Sequence, residues 1–163
     1  MYRILFVCSG NTCRSPMAEA LFKNESSKAG LSDIIDAQSA GLHAAVNQSA
    51  SKPAFELLAK EGINIENHLS RQITSLMIAE SNLILVMTAS QLKELLNLYP
   101  EASGRAFLLN SYSNPSAKHE DIQDPFNAGE KIYQLVKEDI REGIKNLMHI
   151  VKKELINDDS FGK

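Results

Sequence analysis

Residues 4–17 read ILFVCSGNTCRSPM, and we expect the rest of the chain to be organised around this stretch. Its apolar, mostly β-favouring start predicts a buried strand that ends at Cys8, because the turn formers Ser, Gly and Asn follow. Ser15 and Pro16 predict the start of a helix, since serine is a favoured N-cap and proline is favoured at the first helical position. The residues between Cys8 and Ser15 are therefore predicted to form a loop between a strand and a helix.

The predicted loop has the features of an anion site. Backbone N–H groups that converge above a helix N-terminus attract negative charge, because unpaired donors and the positive end of the helix dipole point the same way. Arg14 adds a planar guanidinium group that holds two oxygens of a phosphate at once. The same positive surroundings favour the thiolate form of Cys8, which is the nucleophilic form of cysteine. A nucleophile is therefore predicted to lie beneath a bound phosphoryl group.

The loop sequence resembles that of the low-molecular-weight protein tyrosine phosphatases. A bare Cys-x5-Arg pattern arises often by chance, but the ten residues from Val7 to Pro16 satisfy every fixed position of the family's V-C-x-G-N-x-C-R-S-P. The resemblance implies that Cys8 is the nucleophile, that Arg14 is catalytic and holds the phosphoryl group, and that the rest of the loop binds phosphate. The remaining loop residues are Ser9, Gly10, Asn11, Thr12, Cys13 and Ser15.

The rest of the chain alternates predicted strands and helices, which favours a parallel sheet joined by right-handed crossovers. The resembled family implies a three-layer α/β fold, in which a four-stranded parallel sheet of order 2-1-3-4 carries helices on both faces. We predict one domain over residues 1–156 and a polar C-terminal tail over residues 157–163. The predicted strands cover residues 4–7, 34–39, 83–87 and 105–109, and the predicted helices cover residues 16–28, 51–61, 75–79, 88–99 and 129–156. A polar loop is predicted over residues 111–123, and Leu135 is predicted to face inward on the last helix.

Composition narrows the function classes. The formal net charge of −3 argues against nucleic acid or a membrane surface as a partner. No apolar run reaches the roughly 18 residues of a membrane span and the N-terminus lacks a signal-peptide pattern, so we expect a cytoplasmic protein. The two cysteines are not a disulfide framework and no Cys/His spacing suits zinc. We therefore expect a monomer that needs no metal and no cofactor and acts on phosphorylated protein substrates.

Asp124 is the candidate for the proton donor that the leaving group requires. The following Pro125 bars helix and favours an extended backbone, which fixes the place of the carboxyl group. The Asp-Pro-aromatic sequence also resembles the family's general acid, at the expected distance before the last helix. The resemblance implies two steps, in which Cys8 attacks phosphorus while Asp124 protonates the leaving group, and Asp124 then activates water to cleave the thiophosphate.

The resemblance also implies supporting roles. Ser15 corresponds to a hydroxyl that bonds the thiolate, and Asn11 corresponds to a residue that holds the loop in a left-handed conformation, which asparagine tolerates. His68 corresponds to a histidine that bonds this asparagine. The other histidines, which we interpret as structural or solvated with no evident partner, are His43, His119 and His149.

Three positions bear on the substrate. Many tyrosine phosphatases of this family carry an apolar residue where this chain has Thr12, and an aromatic pair where it has Phe126 and Asn127. The bacterial protein-arginine phosphatases resemble this chain more closely, since they have Thr in the loop and Asp-Pro-Phe followed by a small residue. Asn127 departs from the Gly that they have at that position. Their loop and helix sequence is nearly repeated from Cys8 to Lys23, where Ser9 is a conservative departure from their Thr. Phosphoarginine is therefore the predicted substrate, with phosphotyrosine as the alternative.

Two other function classes fit the sequence less well. Arsenate reductases share the implied fold and a similar loop, but they relay oxidation through further cysteines, and this chain has no cysteine after Cys13. A phosphopeptide-binding module would not need both Cys8 and Asp124. The sequence therefore favours an enzyme that hydrolyses phosphoproteins.

Overall fold

The computed structural model describes residues 1–116 and 121–157. Its elements follow one another in the order β1 (Tyr2–Cys8), α1 (Arg14–Lys28), β2 (Ile35–Gly41), α2 (Lys52–Ala59), α3 (Ser75–Glu80), β3 (Leu83–Val86), α4 (Ala89–Leu98), a 3-10 turn (Pro100–Ala102), β4 (Ala106–Leu108), α5 (Leu109–Ser113) and α6 (Glu130–Asn157). The alternation predicted from the sequence is therefore present.

The four strands form one parallel sheet of order β2-β1-β3-β4, which confirms the predicted topology. β1 lies in the centre and pairs with both β2 and β3. The change of direction in strand order falls at the carboxyl end of β1, where open α/β sheets bind ligands. In the register of β1 with β2, Cys8 pairs with Gly41 at this end of the sheet.

Apolar side chains of β1 alternate between two cores, as the period of a strand requires. Ile4 and Phe6 lie in a core with α1, α2 and α6, while Leu5 and Val7 lie in a second core with α3 and α4. Helices therefore cover both faces of the sheet, as predicted. The fully apolar β3, whose four residues are all buried, is typical of a parallel strand covered on both sides.

The start of α1 differs from the prediction. The helix begins at Arg14, its N-cap is Cys13, and no side chain caps it. Ser15 is thus not the N-cap but a residue of the first turn. Its hydroxyl does not cap the helix because it is hydrogen-bonded to Cys8 and Asn11 within the predicted phosphate-binding loop, residues 8–15, called the phosphate loop from here on.

Two further predictions were wrong. The short helix α5 occupies the start of the predicted polar loop, and its Leu109 and Asn110 pack against α6. A Cβ on Gly143 would lie 3.2 Å from Asn110 Oδ1 and from Leu109 Cγ, so glycine at this position of α6 permits the contact. Leu135 is 58% exposed, because it lies about 140° around the helix from the buried Ile140.

The last helix extends one residue beyond the predicted domain. Asn157, the first residue of the predicted tail, is the last residue of α6, and residues 158–163 lie outside the described residues. The single domain over residues 1–156 stays a prediction. Within residues 1–116 and 121–157, no helix has the length and apolar character needed to cross a membrane.

Candidate active site

Cys8 lies at the base of a loop that curls around its sulfur. The side chain is 2% exposed, and its Sγ lies 3.0 Å from Ser15 Oγ in a hydrogen bond. The backbone N–H of Asn11 also donates to Cys8 Sγ, at 3.3 Å. The sulfur therefore has two hydrogen-bond partners within the loop, one from a side chain and one from the backbone. The predicted contact between the Ser15 hydroxyl and the Cys8 sulfur is present, whereas the predicted capping bond of Ser15 is absent.

Asn11 braces the loop from within. Its φ of 56° is the predicted left-handed conformation, and its side chain is fully buried. The amide Nδ2 donates to Ser15 Oγ at 2.9 Å and to Ser39 Oγ at 3.0 Å, and Oδ1 accepts from the backbone N–H of Arg71 at 2.9 Å. Both N–H groups of the side-chain amide and one lone pair of its oxygen are thus hydrogen-bonded, and two of the three partners lie far from Asn11 in the sequence.

His68 and Ser39 extend the bracing outward. His68 Nε2 donates to the backbone carbonyl of Asn11 at 2.8 Å, so the predicted contact with Asn11 is present and is made with its main chain. Ser39 Oγ donates to Glu19 Oε2 at 2.6 Å, while Arg71 Nε donates to the Ser39 carbonyl at 2.9 Å. Sequence reasoning missed Ser39 and Arg71. The spacing of these residues from the loop gives no local signal, since only the fold brings them together.

Gly41 allows the loop to sit against β2. A Cβ at this position would lie 2.6 Å from the carbonyl oxygen of Ser9 and 3.1 Å from the backbone nitrogen of Asn11. Both atoms belong to the backbone and cannot move aside without deforming the loop. The glycine is therefore needed for the close approach of two chain segments.

Arg14 and Asp124 meet above the loop. The Arg14 side chain is 5% exposed, its Nη1 donates to the backbone carbonyl of Ile122 at 3.1 Å, and its Nη2 lies 3.1 Å from Asp124 Oδ2. The Asp124 side chain is 56% exposed, and its Oδ1 accepts from the backbone N–H of Phe126 at 3.1 Å. The structure thus brings together the three residues predicted to be catalytic, although Asp124 lies more than 100 positions after Cys8 and Arg14 in the sequence.

These three residues border one cavity of about 200 Å³. Its lining consists of Cys8, Gly10, Thr12, Cys13, Arg14, Asp124 and Phe126. The cavity brings one thiol, one guanidinium group and one carboxyl group together in a small space, which is the set of groups that phosphoryl transfer without a metal would use. Among the described residues, no cluster of three or more His, Cys, Asp or Glu side chains is arranged to hold a metal ion.

The three positions predicted to govern the substrate lie at or near the rim. Thr12 is half-buried and Phe126 is 67% exposed, and both line the cavity. Asn127 is exposed in the turn that follows and has a φ of 57°. Asparagine tolerates this left-handed conformation better than other non-glycine residues, so its departure from the glycine of the resembled phosphatases is accommodated by the backbone.

Cys13 lies under the loop beside a buried phenol. Its Sγ is 3.2 Å from Tyr133 Oη of α6 and 3.7 Å from Thr12 Oγ1. Burial, followed by the hydrogen bond with Cys13, raises the pKa of Tyr133 to about 12. Tyr133 is therefore a neutral phenol at physiological pH. Sequence reasoning missed this contact, because a tyrosine on an amphipathic helix is indistinguishable from ordinary core.

Ser9 is hydrogen-bonded to α4. Its Oγ accepts from Nε2 of Gln91, a residue of α4 that is 4% exposed. Gln91 was not among the predicted site residues, since its type and position are typical of a helix surface.

The other histidines contribute little to this site. His43 is exposed, but the prediction that it has no partner was wrong, because its Nε2 contacts Glu94. His149 is exposed on α6. The interpretation of His119 lies outside the described residues.

The family of the chain follows from a comparison with protein-family models. Residues 3–157 match the model described as low molecular weight phosphotyrosine protein phosphatase. The chain belongs to this family. As a low-molecular-weight phosphatase it is a phosphoprotein phosphatase, and the fold described above is the α/β fold of its structural neighbours.

Individual relatives of this phosphatase carry two kinds of name. It is 35% identical over 151 residues to a protein-arginine-phosphatase of Bacillus subtilis, a match that covers 93% of this chain and 97% of that protein. It is also 35% identical over 133 residues to a putative low molecular weight protein-tyrosine-phosphatase of Klebsiella pneumoniae, covering 82% and 85% of the two chains. A solved arginine phosphatase from Geobacillus stearothermophilus superposes with a TM-score of 0.88 at 32% identity and covers 97% of each chain.

Proposed function

We propose that this protein hydrolyses phosphoarginine in proteins through a thiophosphate intermediate on Cys8. The observation that carries the proposal is the convergence of Cys8, Arg14 and Asp124 on a single cavity of about 200 Å³. A cavity of this size suits a phosphoryl group and the first atoms of its leaving group, with the rest of the substrate outside.

In the first step, Cys8 attacks phosphorus in line and displaces the leaving group. The hydrogen bonds from Asn11 N–H and with Ser15 Oγ stabilise negative charge on the sulfur. Loop amides and Arg14 hold the equatorial oxygens, because their donors are already oriented before the substrate arrives. The bracing of Asn11 supports this role, since a loop whose donors are fixed loses little free energy to reorganisation.

Asp124 supplies the proton for the departing atom. Asp124 borders the same cavity as Cys8, its side chain is more than half exposed, and its carboxylate is paired with Arg14. A phosphate that binds Arg14 takes over part of this charge pairing and releases one carboxyl oxygen toward the leaving group. In the second step the deprotonated Asp124 activates water, which cleaves the thiophosphate and regenerates Cys8.

The choice of phosphoarginine rests on the rim. Thr12 offers a β-branched side chain with a hydroxyl group to the leaving group, and a polar guanidino nitrogen can use such a partner while an aryl ring cannot. The relatives from Bacillus subtilis and Geobacillus stearothermophilus, which are named arginine phosphatases, support the same choice.

Phosphotyrosine is the second candidate. Phe126 exposes two thirds of its surface at the rim of the cavity, and an aromatic ring at this place can stack on the ring of a phosphotyrosine. The relative from Klebsiella pneumoniae, equally identical, is named for tyrosine. The two substrates therefore have to be compared directly.

The test is a side-by-side measurement of kcat/KM on peptides of one sequence that carry either phosphoarginine or phosphotyrosine. We expect a higher value for phosphoarginine. The Cys8→Ser variant, prepared in the same way, controls for contaminating phosphatases, and a phosphoserine peptide controls for unspecific hydrolysis. A higher value for phosphotyrosine would replace the first candidate by the second.

Phosphorylated proteins as partners, a monomeric state and a cytoplasmic location are part of the same proposal. The net charge of −3 supports partners other than nucleic acid. Size-exclusion chromatography with light scattering tests the monomer.

A further inference from the structure

The segment that carries Asp124 is attached to the N-terminus of α4. The backbone N–H of Ile122 donates to the carbonyl of Met87 at 2.8 Å. Asp121 Oδ1 accepts from the backbone N–H of Ala89, the first residue of α4, at 2.7 Å. Two consecutive residues, three and two positions before Asp124, are thus bonded to one short stretch of chain between β3 and α4.

The same helix end is fixed to the phosphate loop. Gln91 Oε1 accepts from the backbone N–H groups of Met87 and Thr88, at 3.0 Å and 3.2 Å, and its Nε2 donates to Ser9 Oγ at 3.1 Å. A buried glutamine with these three bonds has little freedom to move. Residues 87–91 therefore form a common support, which touches the phosphate loop through Gln91 and the acid-bearing segment through Asp121.

Asp121 is not needed to cap the helix. Thr88 and Gln91 already form a capping box, in which Thr88 Oγ1 accepts from the backbone N–H of Gln91. Asp121 adds a bond from outside the helix, at the positive end of its dipole. The bond therefore ties a separate chain segment to α4 more than it stabilises α4 itself.

We propose that Asp121 is a positioning residue for the reaction: through its bond to Ala89 N–H, it sets the place of Asp124 relative to Cys8. The inference rests on the proposed function, in which Asp124 is the general acid. Asp124 is more than half exposed, so the place of its carboxyl group depends on how its backbone is held. A proton donor must come within about 2.6–3.2 Å of the leaving atom, and an error near 1 Å can lower the rate by up to roughly 10²-fold.

The test compares two aryl phosphates that differ in their need for a proton. Phenyl phosphate has a poor leaving group and requires the general acid, whereas the leaving group of 2,4-dinitrophenyl phosphate departs as a stable anion. We expect Asp121→Ala to lower kcat/KM about tenfold or more on phenyl phosphate, but less than about threefold on the dinitrophenyl ester. A change that merely loosened the fold would lower both rates alike.

Asp121→Asn separates positioning from proton transfer. The amide keeps an oxygen that accepts from Ala89 N–H but cannot act as an acid at neutral pH. We expect this variant to recover most of the phenyl phosphate rate that Asp121→Ala loses. Asp33→Ala, which removes an exposed carboxylate in the turn before β2, is the matched control and should resemble the wild type.

Each other outcome overturns the inference. Equal losses on both esters in Asp121→Ala would make Asp121 a general structural residue, and no loss would make it dispensable. If Asp121→Asn behaved like Asp121→Ala, Asp121 would act through its charge or its proton and not through the bond to Ala89 N–H. Asp124→Asn is measured in the same assays to test the proposed function separately. If Asp124→Asn shows no dependence on the leaving group, the assignment of the acid fails. If it shows that dependence and Asp121→Ala does not, only the positioning role fails.

Discussion

The two halves of the site are built differently. Most residues of the phosphate loop are buried. Its Asn11 is held by hydrogen bonds to Ser39, Arg71 and His68, which come from β2 and from the chain that follows α2. The segment around Asp124 lies on the surface and is attached through Asp121, Ile122 and the ion pair with Arg14. One half is part of the core, and the other is laid over it.

This difference suits the two tasks. A nucleophile and its anion-binding amides gain from rigidity, because donors that are fixed before the reaction need no reorganisation. A proton donor has to leave room for the substrate and serve two steps in turn, so a surface segment held at a few points is suitable. Variants in the phosphate loop and in the acid segment should therefore fail in different ways.

The largest effect is expected from Cys8→Ser. The hydroxyl does not ionise in this site, so turnover should fall below detection while the fold is kept. Circular dichroism and thermal unfolding check the fold, and release of inorganic phosphate checks turnover. Hydrolysis retained within about tenfold of the wild type would show that Cys8 is not the nucleophile.

Asp124→Asn should come second. We expect kcat to fall by roughly 10²–10⁴-fold, because the leaving group loses its proton donor while the buried loop is untouched. Alkylation of Cys8 by iodoacetate should proceed as in the wild type, which distinguishes this defect from damage to the phosphate loop. Unchanged turnover of a substrate with a poor leaving group would exclude Asp124 as the acid.

The two halves also differ in how much the sequence reveals. Strand, turn, Cys8 and Arg14 lie in one short stretch, so local signals suffice to predict the loop, and the alternation of elements suffices for the sheet order once the resemblance is included. Ser15 was placed wrongly as an N-cap, because a local preference was outweighed by its buried bonds to Cys8 and Asn11. Tertiary contacts override propensity in this way.

The contacts that could not be predicted from the sequence are those between segments that lie far apart in the chain. Ser39, Gln91 and Tyr133 contact the loop only because the fold places β2, α4 and α6 beside it, and the residues next to them in the sequence give no sign of these contacts. The short α5 was missed for the same reason, since its stability comes from packing on α6 at Gly143. Helices this short are marginal alone, so their own residues carry a weak signal.

Thr12→Ile should change selectivity more than rate. The substitution keeps the β-branch, removes the hydroxyl and adds apolar surface, so it alters the cavity without deforming the loop. One side chain of this kind is worth about 1–3 kcal/mol in transition-state binding. We expect kcat/KM to fall for phosphoarginine and rise for phosphotyrosine, which would shift their ratio by about tenfold or more.

Two measurements sharpen this prediction. Thr12→Val removes only the hydroxyl and keeps the shape, so it separates the lost polar contact from the added bulk. Alkylation of Cys8 should stay near the wild-type rate in both variants. An unchanged ratio in Thr12→Ile would remove the main structural reason for choosing phosphoarginine.

The smallest effect concerns Cys13, the loop residue whose sulfur faces both the cavity and α6. Hydrogen peroxide oxidises the Cys8 sulfur to a sulfenic acid, and attack by the Cys13 thiolate would expel hydroxide and form a disulfide, which halts further oxidation. We expect the peroxide-treated wild type to regain most of its activity in dithiothreitol, and Cys13→Ala to regain clearly less.

Tyr133→Phe is the matched control, because it removes the 3.2 Å contact with Cys13 Sγ but keeps the thiol, and it should recover like the wild type. Full recovery of Cys13→Ala would assign Cys13 a packing role alone, in which case the buried half of the site protects Cys8 only by limiting access to it.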